Sequence, residues 1–260
     1  MALFLDIDIS SNQDSHATKW MSKKIAWYGT SIAAGYPKSA EKEIWSHANR
    51  SVRDVGAKIL NYAVPNGVIR ESKLDGSSMG VRDSLSFSRL SSEINYYNSM
   101  ISLIHTESEP DLFIFEYGPN DVDADDTDFS GYIPGNPENT GFHNEGISIS
   151  SRNKKTFIGA FNWVIDQLLD IKPDAKIAII THYSLDSFDK KMKWEKLIAI
   201  QTALGEYRGV PFCKLHTETG WNDCNSVKHF NPDGIHPASS NSTKSVEILS
   251  NIIYHFLRTI

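Results

Sequence analysis

Leu112-Phe113-Ile114-Phe115 is the most apolar short run in the chain, and it is one of five that recur between segments of helical periodicity. The others are Ile25–Tyr28, Ile59–Val64, Lys176–Ile180 and Pro211–Leu215. Runs of this length bounded by Gly, Pro, Asn or Asp read as strands. Between them, Trp45, Ala48, Val52 and Val55 predict a helix over 42–56, and Ile94, Tyr97, Ile101 and Ile104 mark a second. Phe157, Phe161, Ile165 and Leu168 give a third, which Pro173 must stop because proline disfavours helical geometry in the residue before it. A further helix is expected over 189–206, and Val246, Leu249, Ile253 and Phe256 close the chain with another. Strands alternating with helices at this rhythm imply βαβ units, hence an α/β fold whose parallel sheet is covered on both faces.

No Pro/Gly/Ser-rich linker or charge block divides the 260 residues, so one domain over 24–260 is expected, preceded by an extension at 1–23. In that extension Leu3, Leu5, Ile7 and Ile9 alternate with Phe4, Asp6, Asp8 and Ser10, the pattern of an edge strand or of a segment that pairs outside the domain. Residues 1–20 are therefore a candidate docking segment. The formal net charge of −6 lacks the basic footprint of a nucleic-acid binder. Met1 to Leu5 has no basic n-region, and Asp6 and Asp8 interrupt the apolar stretch before it reaches signal-peptide length. No apolar run reaches membrane-span length, so a soluble protein is expected. Of the two cysteines, Cys213 lies in an apolar run and reads as a buried free thiol, and no disulfide framework is supported.

Chemistry enters at Gly29-Thr30-Ser31, where the first strand turns and presents a hydroxyl at the carboxyl edge of the sheet. Open α/β sheets bind their ligands at that edge. The glycine spacing fits neither a P-loop nor a dinucleotide fingerprint, and Ala33 stands where a G-x-S-x-G elbow needs glycine. Alone, the serine reads first as an ordinary turn residue that hydrogen-bonds its own backbone. A parallel sheet, however, brings three further loops to the same edge: Asn66-Gly67, Gly118-Pro119-Asn120-Asp121 and Asp233-Gly234-Ile235-His236. A serine hydroxyl needs a base to become nucleophilic, and imidazole suits neutral pH. Asp233 precedes His236 by three residues, a spacing at which a carboxylate can reach Nδ1 in a tight turn and leave Nε2 for the serine. By itself that pair also fits a helix-entry turn with an Asx-type cap. Asn120 could donate its carboxamide to a developing oxyanion.

Taken together, these blocks resemble those of the SGNH (GDSL-type) hydrolase family in order and interval, over residues 25–237. The resemblance implies a three-layer α/β/α sandwich with a central parallel sheet, flavodoxin-like in form, and ester hydrolysis with neither cofactor nor metal. It assigns Ser31 as nucleophile, His236 as base and Asp233 as the carboxylate that holds the imidazole. The backbone N–H groups of Ser31 and Gly67 and the side chain of Asn120 would form the oxyanion hole. Thr30 departs from the Asp usual before the nucleophile, which bears on the packing of the turn more than on catalysis.

Outside those blocks, His182 follows a strand at the active edge, and Trp221 and His143 lie in irregular segments. All three are candidate substrate contacts, with ordinary packing as the alternative. Asp121 to Asp126 resembles a calcium loop but lacks the glycine and glutamate an EF-hand requires, and His143 has no companions at metal spacing. The stretch 121–151 carries seven carboxylates and no Lys or Arg, and it reads as a long surface excursion, of a length at which loops tend to be functional when they are not disordered. Polar, acidic loops suit a short acyl group on a glycan better than a lipid chain, which needs an apolar groove. The expected partner is thus a small-molecule or glycan ester. Rival readings are a lysophospholipase or thioesterase of the same family and, in another class, a carbohydrate-binding or phage-tail structural domain on the same fold.

Overall fold

The computed structural model describes residues 18–63, 69, 109–123, 129–130, 148–151, 156–183, 188–221, 235–237 and 243–260. Its elements in chain order are β1 (Lys24–Gly29), α1 (Lys42–Trp45), α2 (His47–Asp54), β2 (Lys58–Asn61), β3 (Leu112–Glu116) and α3 (Pro119–Asp123). There follow α4 (Phe157–Ile171), β4 (Ile177–Ile180), α5 (Phe188–Arg208), β5 (Phe212–Cys213), α6 (Leu215–Glu218) and α7 (Lys244–Thr259). The five strands form one sheet in the order β2-β1-β3-β4-β5, every neighbouring pair parallel, as the alternation of apolar runs and helices predicts.

Side-chain alternation along the strands divides the core into two layers. Ala26, Tyr28, Phe113, Phe115, Ile177 and Ile179 face α4 and α5, where Phe161, Val164, Leu168, Leu197 and Leu204 cover them. Ile25, Trp27, Leu112, Ile114, Ala178 and Ile180 face the opposite way onto Ala48 and Val52 of α2 and Leu249, Ile253 and Leu257 of α7. This is the three-layer sandwich. Every residue of β3 is buried, which explains why its sequence shows no polar alternation. Trp20, within the stretch read as an extension, is buried against α7 and donates its indole N–H to the Leu257 carbonyl. Residues 1–17 and the helix expected around 94–104 lie outside the described residues.

The expected helix over 42–56 is two helices. Ser46 breaks it with extended backbone (φ −100°, ψ 118°) and caps α2 by accepting from the Asn49 N–H. Its hydroxyl also donates 2.6 Å to the Ala33 carbonyl, a bond that continuous helix would forgo. At α4, Thr156 caps the first turn through the Gly159 N–H and the helix ends at Ile171, ahead of Pro173. Cys213 is free and buried, and burial pushes its thiol pKa up to about 12. Among the described residues no helix is long and apolar enough to cross a membrane.

Candidate active site

Gly29 ends β1 opposite Glu116 of β3, and a Cβ on Gly29 would lie 2.9 Å from the Glu116 carbonyl oxygen. Only glycine permits that approach. The chain then closes a compact turn through Ala34 N–H to Thr30 O (3.1 Å), Gly35 N–H to Ile32 O (3.0 Å) and Tyr36 N–H to Ser31 O (2.9 Å). Thr30, the departure from the usual Asp, is wholly buried, and its hydroxyl accepts from the Ile32 N–H at 3.5 Å. Two side chains from outside the turn pin it at one point: the Ala33 carbonyl accepts from both Ser46 Oγ (2.6 Å) and Asn61 Nδ2 (3.1 Å). Asn61 is the last residue of β2, so the sheet itself fixes the loop that carries Ser31.

Ser31 is 7% exposed, and its Oγ lies 2.8 Å from His236 Nε2. The sequence separation is 205 residues, and the contact is the one a serine–histidine pair requires. Tyr183, just beyond β4, donates its hydroxyl to the Ile235 carbonyl at 2.8 Å and so ties the histidine's loop to the sheet. Trp221 is buried and packs edge-on against Tyr183, with ring centroids 5.1 Å apart. Tyr36 sets its ring against His236 at 5.0 Å from the other side.

Asn120 lies in α3, directly beyond β3 and beside the strand that carries Ser31. Gly118, at φ +145°, lets the chain turn there, and a Cβ on it would sit 2.9 Å from both Leu197 methyl groups. One helical turn further along α5, the fully buried Gln201 donates Nε2–H to the Tyr117 carbonyl at 2.9 Å. The turn that delivers Asn120 is therefore shaped by α5. Asp121, next in the chain, is buried. Gly67, Asp233 and His143 lie outside the described residues.

Beneath the serine turn stands a polar cluster for which the sequence reading gave no warning. The buried Glu116 carboxyl group accepts from Trp27 Nε1 at 2.9 Å, and its two oxygens lie 3.1 and 2.9 Å from His47 Nε2. His47 is buried as well and meets the Trp27 ring edge-on at 6.0 Å. His182 is another buried polar group, just beyond β4. Burial lowers its pKa to about 3; the bond from Nδ1–H to the Tyr183 carbonyl (2.9 Å) opposes this, and repulsion from the imidazoles of His47 and His236 adds to it. The ring is thus neutral and wholly enclosed, edge-on to Trp194 at 4.9 Å, and its Nε2 makes no hydrogen bond. Among the described residues no group of three or more His, Cys, Asp or Glu side chains could hold a metal ion.

No protein-family model matches the sequence, and no curated protein does. Solved structures do. A Bacteroides uniformis protein described as a GDSL-like lipase superposes with a TM-score of 0.57 at 15% identity, covering 92% of this chain and 97% of that one. A lipase/acylhydrolase from Enterococcus faecalis gives 0.53 at 17%, covering 91% and 96%. A variant of an acetyl xylan esterase from Geobacillus stearothermophilus gives 0.51 at 12%, covering 91% and 95%. At such identities likeness speaks for architecture, and it runs through nearly the whole of each partner: the chain has the SGNH (GDSL-type) hydrolase fold.

Proposed function

We propose that the chain is a serine esterase that removes short acyl groups, acetyl foremost, from a carbohydrate. The observation that carries this reading is the 2.8 Å contact between Ser31 Oγ and His236 Nε2 at the carboxyl edge of the sheet. In the proposed reaction His236 takes the hydroxyl proton as Ser31 Oγ bonds to the ester carbonyl carbon. The tetrahedral intermediate then collapses, the carbon–oxygen bond to the alcohol breaks, and His236 returns the proton to the departing oxygen. Water, activated by the same imidazole, releases the acid and restores the serine. Asp233 would hold Nδ1–H of His236, and the N–H groups of Ser31 and Gly67 with the Asn120 carboxamide would take up the oxyanion charge.

The short-acyl reading draws support from the composition of the connecting segments in the sequence, where Asp, Asn, Gly and Ser outnumber large apolar residues. Two of the similar structures are described as acetyl-xylooligosaccharide and acetyl xylan esterases. The names lipase and acylhydrolase among the others favour the longer-chain rival. Nitrophenyl acetate and nitrophenyl octanoate separate the two, with faster turnover of the acetate expected. Ser31→Ala should abolish turnover of both while leaving the thermal transition in place. An active Ser31→Ala protein would end the mechanism, whereas faster octanoate cleavage would end only the short-acyl assignment.

A further inference from the structure

The Tyr36 ring is 43% exposed, and with Met21, Ile44 and Tyr207 it is one of four large hydrophobic side chains exposed among the described residues. Unlike the other three, it touches a residue of the proposed machinery: its centroid lies 5.0 Å from that of His236, at an interplanar angle of 61°. Its backbone is fixed by the bond from its N–H to the Ser31 carbonyl. A ring in this place is held at its inner edge and open to solvent on the remainder.

Its side of the site follows from the chemistry of His236. The imidazole that takes the Ser31 proton must hand it to the departing alcohol oxygen, so the alcohol part of the ester lies over His236. The oxyanion would point instead toward the donors proposed for it, the Ser31 N–H and the Asn120 carboxamide. Tyr36 therefore borders the space of the leaving group, not that of the oxyanion. Beyond Pro37 the chain continues through Lys38, Ser39 and the exposed Glu41, and Lys38 Nζ lies 3.4 Å over the Trp45 ring, so charged and hydroxyl side chains follow the tyrosine. An aromatic face followed by charged and hydroxyl side chains suits an alcohol with an apolar C–H face and a hydroxylated rim. A lipid alcohol would need a wider apolar wall.

We propose that Tyr36 is the platform of a leaving-group subsite on which one pyranose ring of an O-acetylated glycan stacks. The assignment rests on the serine-esterase reading and adds the residue that selects the alcohol. It makes Tyr36 a specificity residue that contacts substrate directly, with no part in proton transfer.

The test compares wild type, Tyr36→Ala and Tyr36→Phe on two acetates, mono-O-acetylated methyl β-xyloside and trifluoroethyl acetate. Both carry the same acyl group, and only the first has a sugar to stack. Tyr36→Ala should lower kcat/KM on the xyloside about tenfold, mainly through KM, and change trifluoroethyl acetate turnover less than threefold. Tyr36→Phe should stay within threefold of wild type on both. Retained trifluoroethyl acetate turnover shows that the variant is folded. Equal losses on the two acetates would overturn the proposal, because Tyr36 would then act only through His236; an unchanged xyloside rate would overturn it as well. Wild type that cleaves trifluoroethyl acetate but not the xyloside removes the subsite and spares the esterase. Wild type inactive on both removes the esterase reading, and the subsite with it.

Discussion

The two ends of β3 each place a carboxyl group beside a neighbouring strand, five residues apart, in opposite surroundings. Asp111, just before the strand, accepts from the Lys24 N–H at 2.8 Å and from Lys23 Nζ at 3.0 Å, and its side chain is 33% exposed. Glu116, the last residue, accepts from Trp27 and His47 with no exposure at all. Burial works against ionisation of Asp111, but the Lys24 amide and the Lys23 ammonium outweigh it and hold its pKa below the ordinary value. Around Asp111, Lys19, Lys23, Glu109, Lys172, Asp174 and Lys176 line an open groove of about 390 Å³, where water and salt can replace a lost partner. Around Glu116 nothing can. Equivalent chemistry is thus worth little at the amino edge and a great deal at the carboxyl edge, where the serine turn rests on it.

Glu116→Ala should produce the largest effect, a loss of about 3–5 kcal/mol, because Trp27 Nε1–H and His47 are left buried without their acceptor. Urea unfolding at neutral pH would measure it, and Glu116→Gln, which keeps an acceptor oxygen, should lose less. A loss for Glu116→Ala no greater than that for Asp111→Ala would break the comparison.

Acid should act next, through His182. The folded protein holds it near 3, below the ordinary histidine value of about 6.5, so between those pH values the unfolded chain binds the extra proton. Stability from this group is therefore complete above about pH 6.5 and declines on acidification, by up to about 1.4 kcal/mol per pH unit, until the folded form also protonates. His182→Asn should flatten the fall in urea midpoint between pH 6 and 4. An identical slope in wild type and variant would mean that His182 is not held neutral.

Asp111→Ala should cost the least, under about 1 kcal/mol, as expected of a partly exposed pair in reach of solvent. The pair's contribution should shrink further in 1 M salt, whereas the Glu116→Ala deficit should not. Because the Asp111 pKa is depressed, its contribution is present above about pH 4 and disappears as pH falls through the folded value.

The strands and their parallel pairing were legible because each strand leaves a local trace, an apolar run set between helical patterns, and the Ser31–His236 contact joins two of the polar blocks singled out in the sequence. Glu116 left none, since in sequence it only opens the Glu-Tyr-Gly-Pro turn. Its importance comes from register, which sets it opposite Gly29. Gln201 was hidden for a similar reason, as an amide in a helix reads as solvent-facing until Tyr117 is placed beside it. The break at Ser46 escaped because Trp45, Ala48, Val52 and Val55 keep helical spacing across it, and the competing bond to Ala33 comes from another segment. Tyr36 and Tyr183 sit in short stretches whose periodicity says nothing, and only tertiary contact with the His236 loop gives them a role.

The doubly bonded carbonyl of Ala33 has a kinetic corollary. Its two donors arrive from 13 and 28 residues away, so a peptide containing the serine cannot hold this turn in place by itself. Under the proposed esterase reading, regain of activity during refolding should therefore trail the docking of both α2 and β2 and serve as a late clock for assembly of this half of the sheet.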